Sequence, residues 1–122
     1  NINKADVRYI GEVSVEDLIG LYNIADVLVH LSLYEGFGLT VLEAMQCGTP
    51  VVTSNTSSLP EVAGNSALTV SPLNVGQITD TVYNVMLSEE LRNGMIKAGL
   101  ERSSQFSWEE TARKTLKVYR GI

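Results

Sequence analysis

Short apolar runs alternate with longer amphipathic stretches along the chain. The runs are rich in valine, isoleucine and leucine, and their side chains do not alternate between apolar and polar. This pattern is typical of strands that are covered on both faces. Four runs have it: Val7–Ile10, Val27–Leu31, Pro50–Thr53 and Ala67–Val70. We therefore predict four buried strands.

The stretches between the runs predict helices with clearly marked first residues. In a capping box, a Ser or Asn side chain accepts from the amide three residues on, and the residue at that position reaches back. Three predicted helices begin in this way: Val15–Ile24 after Ser14, Val75–Leu87 after Asn74, and Trp108–Tyr119 after Ser107.

Further helices are predicted from other signals. Leu39–Cys47 is followed by Gly48, a common helix stop. Ser88 and the acids after it begin a helix that reaches about Ser103, with those acids placed favourably against the helix dipole. Ser58 resembles the cap of one short additional turn.

Strands that alternate with helices indicate an α/β fold, in which a parallel sheet has helices on both faces. With 122 residues, the chain has room for one domain at most. About residues 75–122 carry no strand pattern, so we predict a helical tail there.

Composition excludes several classes of protein. The net charge of −5 argues against nucleic-acid binding. No apolar run approaches the roughly 18 residues that a membrane span needs. Cys47 is the only cysteine, which excludes an internal disulfide and fits a reducing compartment. His30, the only histidine, lies in a predicted strand, so we expect a structural role rather than acid/base chemistry or metal binding.

A glycine loop with a glutamate on each side carries the candidate chemistry. Gly36 and Gly38 follow a predicted strand and open a predicted helix. This places them at the carboxyl edge of the sheet, where open α/β folds bind ligands. The first amides of the helix are unpaired donors and can bind an anion. Glu35 and Glu43 can each accept hydrogen bonds from hydroxyl groups.

The arrangement suits a ligand with hydroxyls at both ends and phosphate between them, and a nucleotide sugar has that layout. The alternative is that the loop is only a tight turn and each glutamate is only a partner of the helix dipole. Spacing alone leaves both interpretations open.

Seven segments extend the pattern over nearly the whole chain. They are Ala25-Asp26-Val27, Ser32, Glu35-Gly36-Phe37-Gly38-Leu39, Glu43-Ala44-Met45, Cys47-Gly48-Thr49-Pro50-Val51-Val52, Leu59-Pro60-Glu61-Val62 and Phe106-Ser107-Trp108-Glu109. Together they resemble the C-terminal domain of family 4 type GT-B glycosyltransferases. The two glutamates around Gly-Phe-Gly-Leu are far more specific than a lone glycine loop.

The resemblance implies a Rossmann-like fold and retaining sugar transfer from a nucleoside-diphosphate sugar, with no metal ion or other cofactor. Carried over by position, Glu35 is the catalytic-site residue that holds hydroxyls of the donor sugar. The substrate-binding residues implied by the resemblance are Gly36, Phe37, Gly38, Leu39, Thr40 and Glu43. Among them, the amides of Leu39 and Thr40 lie at the phosphate and Glu43 grips the ribose. Gly11-Glu12-Val13 matches the loop that borders the base.

The chain also departs from the family pattern. Family members begin this domain with a strand–helix–strand segment that supplies an arginine and a lysine to the diphosphate, and that segment would precede Asn1. The acceptor-binding N-terminal domain would precede it as well. We therefore expect residues 1–122 to be a partial domain, truncated on its N-terminal side, that does not transfer sugar alone.

This truncation has a consequence for the sheet. In the order 3-2-1-4-5-6, the predicted strands correspond to the third through sixth. Val7–Ile10 and Val27–Leu31 then lose their partners. Val7–Ile10 can shift onto Val27–Leu31, detach, or leave a gap that a second copy fills. We expect a homodimer, because unpaired strand edges favour association.

Several properties stay open at this point. A non-catalytic Rossmann-like binding or interaction module is the alternative function, and a GT-B phosphorylase or epimerase relative is less favoured because of the glutamate pair. The nucleotide base, the hexose (mannose or glucose) and the acceptor are not specified. We expect a cytoplasmic location, with peripheral contact at the inner membrane face through the missing domain as an open question.

Overall fold

A parallel sheet of three short strands forms the centre of the protein. The computed structural model describes residues 6–121, and its strands are β1 (Leu28–His30), β2 (Val51–Ser54) and β3 (Leu68–Val70). They lie side by side in the order β1-β2-β3, with Val29 opposite Val52 and Thr53 opposite Thr69. The parallel sheet, three of the four predicted strands and their order are thus confirmed.

The remaining predicted strand, Val7–Ile10, is wrong. Residues 7–10 form no regular structure, and Val7, Tyr9 and Ile10 expose 65%, 98% and 58% of their surface. A strand is stable only when its backbone groups pair with a neighbour, and no strand within residues 6–121 pairs with this segment. Of the two arrangements that a single chain can adopt, shifted or detached, the structure therefore shows the detached one. The homodimer stays a prediction that sedimentation of the 122-residue protein would test.

Six helices connect and cover the strands within the described residues. They are α1 (Val15–Ile24), α2 (Leu39–Gln46), α3 (Leu59–Ala63), α4 (Val75–Leu87), α5 (Glu89–Ser104) and α6 (Trp108–Tyr119). Each predicted helix is confirmed to within one residue at its ends. None of these helices is long and apolar enough to cross a bilayer.

Each predicted capping box forms one of its two hydrogen bonds, the bond that the cap side chain accepts. At three helix starts the capping side chain accepts from the amide three residues on: Ser14 from Asp17, Asn74 from Gln77, and Ser107 from Glu110. The reciprocal bonds go elsewhere, because Gln77 Oε1 accepts from the amide of Ser71 and Glu110 pairs with Arg113. The first turns are therefore fixed by the cap residue itself.

The core lies on both faces of β2. All four residues of this central strand are buried. Val51 packs with residues of α1, α2 and α3, including Tyr22, Met45 and Leu59, whereas Val52 packs on the other face with residues from β3, α4 and α5. The sheet thus has helices on both faces, as predicted. Two buried layers hold the carboxyl end of β2 in place, and the candidate site lies at that end.

The last helix lies outside this core. No side chain of α6 is buried, and Trp108 and Tyr119 expose 77% and 83% of their surface. The half-buried Phe106 just before α6 packs against the core in their place. Phe106, and not the helix after it, therefore ties this end of the chain to the domain.

Candidate functional site

The loop after β1 leads into α2 through two glycines with different surroundings. Gly38 is the N-cap residue of α2 and adopts a left-handed conformation with φ at 109°. A Cβ on Gly38 would lie 2.8 Å from Leu59 Cδ2, in the buried core. Gly36 is exposed, and a Cβ there would meet no atom within 4 Å. Gly36 therefore faces open space, where a ligand can approach the backbone, whereas Gly38 faces the protein.

This geometry corrects one expectation. The implied place of Gly38 among the substrate-binding residues predicts that a side chain at position 38 pushes into the phosphate or the helix start. The structure directs it into Leu59, because the left-handed backbone turns the Cβ inward. Gly38 thus shapes the loop and the core contact beneath it, and Gly36 is the glycine at the open surface.

The start of α2 has no side-chain cap. Gly38 has no side chain that could accept from the first amides, which belong to Leu39 and Thr40. Such amides are unpaired donors at the positive end of the helix dipole. Leu39 is exposed and Thr40 is half-buried. The arrangement can bind an anion at the open side of the loop.

Glu35 lies at one end of this loop and is held by two side chains. His30 Nε2 is 2.9 Å from Glu35 Oε1, and the Ser32 hydroxyl donates to the same oxygen over 2.7 Å. These bonds favour the charged carboxylate, so Ser32 and then His30 lower the pKa of Glu35 below its ordinary value. Glu35 is therefore an ionised acceptor in a fixed orientation.

A row of hydroxyls from the end of β2 and the segment after it holds the backbone of the loop. Thr53 donates to the carbonyl of His30 over 2.9 Å, and Thr56 donates to that of Ser32 over 3.2 Å. Ser57 and Ser58 donate to the carbonyl of Glu35 over 2.8 and 3.0 Å, and Ser58 also donates to the carbonyl of Phe37 over 2.8 Å. The row formed by Thr53, Thr56, Ser57 and Ser58 is called here the hydroxyl row.

Ser58 does not play its predicted role. We expected it to cap α3, but its side chain makes no capping bond and reaches back to the loop instead. Ser57 has a left-handed backbone with φ at 58°, and its hydroxyl also accepts from the amide of Glu35 over 3.2 Å. The segment after β2 is therefore built to support the loop after β1.

Glu43 lies one turn into α2 and has a single side-chain partner among the residues that the structure describes. The Tyr22 hydroxyl donates to Glu43 Oε2 over 3.1 Å. Tyr22 is buried at the end of α1, and burial together with this carboxylate raises its pKa to about 12. Glu43 is itself exposed. The other carboxylate oxygen, Oε1, is therefore available to a ligand.

Phe37 connects the loop with the end of α5. Its ring meets Phe106 edge to face, with centroids 6.1 Å apart, and the guanidinium of Arg102 lies over the Phe106 ring. Arg102 in turn donates to the carbonyls of Glu61 and Val62 at the end of α3. The loop is thus supported from α3 and α5 as well as from β2.

The structure brings the predicted site residues together around one helix start. Glu35 to Thr40 form the loop and the first residues of α2, and Glu43 follows on the same helix. Gly11-Glu12-Val13, predicted to border the base, is exposed and irregular. Within residues 6–121, no three His, Cys, Asp or Glu side chains are arranged to hold a metal ion.

Sequence reasoning missed the residues that support the two glutamates. His30 was predicted to be structural within a strand, yet it is the last residue of β1 and binds Glu35. Tyr22 and Ser57 carried no recognisable signal, because their partners lie 21 and 22 residues away in the chain. The cluster Thr53, Thr56, Ser57 and Ser58, placed after a buried strand, was the one available sign of a polar support.

Known proteins similar to this chain are sugar transferases. O-antigen chain mannosyltransferase B of Escherichia coli is 43% identical over 114 residues, which make up 93% of this chain and 30% of that protein. D-inositol 3-phosphate glycosyltransferase of Corynebacterium jeikeium is 35% identical over 115 residues, or 93% of this chain and 27% of that protein. The chain thus spans less than a third of the length of these two relatives.

A solved structure and a family model agree with these relatives. Sucrose-phosphate synthase from Thermosynechococcus elongatus superimposes with a TM-score of 0.86 at 30% identity, covering 97% of this chain and 30% of that one. The model of the family described as glycosyl transferases group 1 matches residues 2–102. The chain belongs to the group 1 glycosyl transferases.

Proposed function

We propose that this chain binds the donor in a retaining glycosyltransferase that uses a nucleoside-diphosphate sugar. The diphosphate lies at the uncapped amides of Leu39 and Thr40, beside the open surface of Gly36. Glu35 holds hydroxyls of the sugar, and Glu43 holds those of the ribose.

One observation carries this proposal. A carboxylate oriented by side-chain donors lies on each side of an uncapped helix start. Carboxylates accept hydrogen bonds from hydroxyls, and helix starts bind phosphate. A ligand that satisfies all three groups has hydroxyl, phosphate and hydroxyl in that order. At Gly36 the open face of the loop leaves room for such a ligand to contact the protein backbone.

The same groups define what the chain contributes to transfer. When the bond between the anomeric carbon and the phosphate oxygen breaks, the electron pair stays on the leaving diphosphate. The dipole of α2 stabilises that charge by about 0.3–2 kcal/mol. This stabilisation is too small to balance the charge of a diphosphate by itself. Cationic groups from outside residues 6–121 are therefore part of the proposal, as is an acceptor-binding domain. Glu35 positions the sugar and does not act as a general base.

The similar proteins suggest where to look for the sugar. The Escherichia coli relative is named a mannosyltransferase, so a mannosyl nucleotide is the first donor to test. A cytoplasmic location completes the proposal, since the single cysteine, Cys47, is free and suits a reducing compartment.

Titration with UDP, GDP and ADP tests donor binding directly. Both the 122-residue protein and a full-length transferase that contains it should be titrated by calorimetry. We expect one nucleotide to bind the full-length protein, and to bind the chain alone more weakly because the proposed cationic groups lie outside it. Donor-hydrolysis screening of the full-length protein then identifies the sugar. Failure of the full-length protein to bind any of the nucleotides or to hydrolyse any sugar nucleotide would leave a non-catalytic interaction module as the better reading.

A further inference from the structure

The two oxygens of the Glu35 carboxylate have different surroundings. Oε1 accepts from Ser32 over 2.7 Å and lies 2.9 Å from His30 Nε2. The His30 ring and the Ser32 hydroxyl are themselves 3.4 Å apart, so the three side chains form a compact cluster. Within residues 6–121, Oε2 has no hydrogen-bond partner. One oxygen is thus held by the protein and the other is free to bind.

Both donors are anchored from the central strand and the segment after it. His30 ends β1, lies opposite Thr53 in the sheet, and accepts the Thr53 hydroxyl at its carbonyl. Ser32 accepts the Thr56 hydroxyl in the same way. The His30 side chain is 22% exposed and that of Glu35 is 30% exposed. The His30 side chain is therefore somewhat more sheltered than that of Glu35, and hydroxyls from β2 and the segment after it hold the backbone of both donors.

We infer that His30 and Ser32 are positioning residues, which fix Glu35 Oε1 so that Oε2 alone points to a hydroxyl of the donor sugar. The inference rests on the proposed function for its ligand. It places a proton on His30 Nε2, because the carboxylate oxygen Oε1 is an acceptor. It also narrows the role expected of Glu35, because only one of its two carboxylate oxygens is left to accept from a hydroxyl.

The pKa of Glu35 depends on the two side chains that hold its Oε1, so it can be used to test this arrangement. The hydrogen bond from Ser32, followed by that from His30, lowers the pKa of Glu35. On the neighbouring elements, the ionisable groups are Glu43 on α2 and Glu61 on α3, while Tyr34 precedes Glu35 in the loop. Of the ionisable residues described, His30 is the one that acts on the Glu35 carboxyl. Loss of either donor should therefore raise the pKa of Glu35.

Carbon-13 NMR of the side-chain carboxyl in the 122-residue protein measures this directly, with the Glu35→Gln spectrum identifying the resonance. We expect the Glu35 midpoint to move to higher pH in His30→Leu and in Ser32→Ala. His30→Gln keeps an N–H donor and should recover part of the difference. Ser57→Ala removes a bond to the Glu35 backbone and none to its carboxylate, so it is the matched control and should leave the midpoint unchanged. An unchanged midpoint in Ser32→Ala would overturn the inference, even if His30→Leu fails to fold.

A kinetic measurement separates positioning from simple structural support. In the full-length transferase, Ser32→Ala and His30→Leu should lower kcat about tenfold, the effect of one lost hydrogen bond in the transition state. Affinity for the free nucleoside diphosphate should not change, and the acidic limb of activity should move to higher pH. Equal losses of turnover and nucleotide affinity would contradict positioning. Absence of donor binding in the wild-type protein would instead overturn the proposed function, whatever the NMR midpoint shows.

Discussion

Glu35 and Glu43 lie on opposite sides of the start of α2, and the protein holds them in different ways. Glu35 is on an irregular loop, where two donors orient its carboxylate and Ser57 and Ser58 bind its carbonyl. Glu43 is on a regular helix, and one hydroxyl, that of Tyr22, reaches it. The N–H and C=O groups of a loop have no regular hydrogen bonds among themselves, so they need partners from other segments. In a helix these groups bind to one another.

This difference predicts how disturbances spread. Around Glu35, the carboxylate, the loop backbone and the end of β2 form one hydrogen-bonded network, and the members of such networks are coupled. Around Glu43, the helix fixes the backbone and the Tyr22 contact adds only orientation. The orientation of Glu35 should therefore depend on its side-chain donors, whereas the position of Glu43 should depend mainly on the helix.

The largest effect is expected at the glycine that joins the two regions. Gly38→Val places a side chain 2.8 Å from Leu59 in a left-handed backbone. Overpacking and backbone strain together should cost about 2–5 kcal/mol of folding free energy. Chemical denaturation of the 122-residue protein measures this. Gly36→Val is the matched control, because a Cβ there meets no atom within 4 Å, so the variant should leave stability within about 0.5 kcal/mol while weakening nucleotide binding. Equal stability of the two variants would contradict the inward direction of Gly38.

The next effect concerns the loop end of the site. Glu35→Ala in the full-length transferase should lower kcat by an amount that corresponds to a charged hydrogen bond, about 1.5–3 kcal/mol. Binding of free nucleoside diphosphate should be nearly unchanged, because the proposed partner is the sugar. Steady-state kinetics and calorimetry give the two quantities. A parallel loss of nucleotide affinity would show that Glu35 binds the nucleotide instead.

Glu43, the glutamate on the helix, should show the opposite pattern, with nucleotide affinity as the quantity that changes. Glu43→Gln keeps an acceptor for Tyr22 but removes the charge, so the backbone and the fold should persist. Affinity for the nucleoside diphosphate should fall by roughly 1.5–3 kcal/mol if the carboxylate holds the ribose hydroxyls. Calorimetric titration of the full-length protein with UDP, GDP and ADP is the measurement. Unchanged affinity would remove Glu43 from the site.

The smallest effect is expected from Tyr22→Phe, which removes the single support of Glu43. Loss of one hydrogen bond should reduce stability by about 0.5–1.5 kcal/mol near neutral pH. The pKa of Tyr22 is raised from 10.0 to about 12, so its stabilisation is complete below pH 10 and is lost as the pH rises to about 12. The unfolding free energy of the wild type should therefore fall more steeply than that of Tyr22→Phe between these values. Parallel curves would show that the hydroxyl is not protected in the folded protein.

The helices could be predicted from the sequence because their signals are local. Ser14, Asn74, Ser88 and Ser107 each accept from an amide three residues on, so the start of the helix is defined by adjacent residues. The strand at Val7–Ile10 failed because an apolar run does not specify its partner. Pairing is a long-range property, and only the three runs that meet in one sheet form strands.

The candidate site divides in the same way. The order of glycines and glutamates around the start of α2 was visible, since these residues are close in sequence. The direction of Gly38 depends on Leu59, and the role of Ser58 depends on the carbonyls of Glu35 and Phe37. Each of these contacts joins positions about 21–23 residues apart, which no local pattern encodes.

The hydroxyl row has a consequence for engineering these transferases. The four hydroxyls of residues 53–58 donate to the carbonyls of residues 30, 32, 35 and 37 in the loop. The shape of the loop is therefore specified by two segments of the chain. Transplanting residues 30–40 alone into another member of the family would move the glutamate and the glycines without the groups that set their geometry. A graft that exchanges both segments together carries the loop as a complete unit, and libraries that vary the loop should randomise the two segments in pairs.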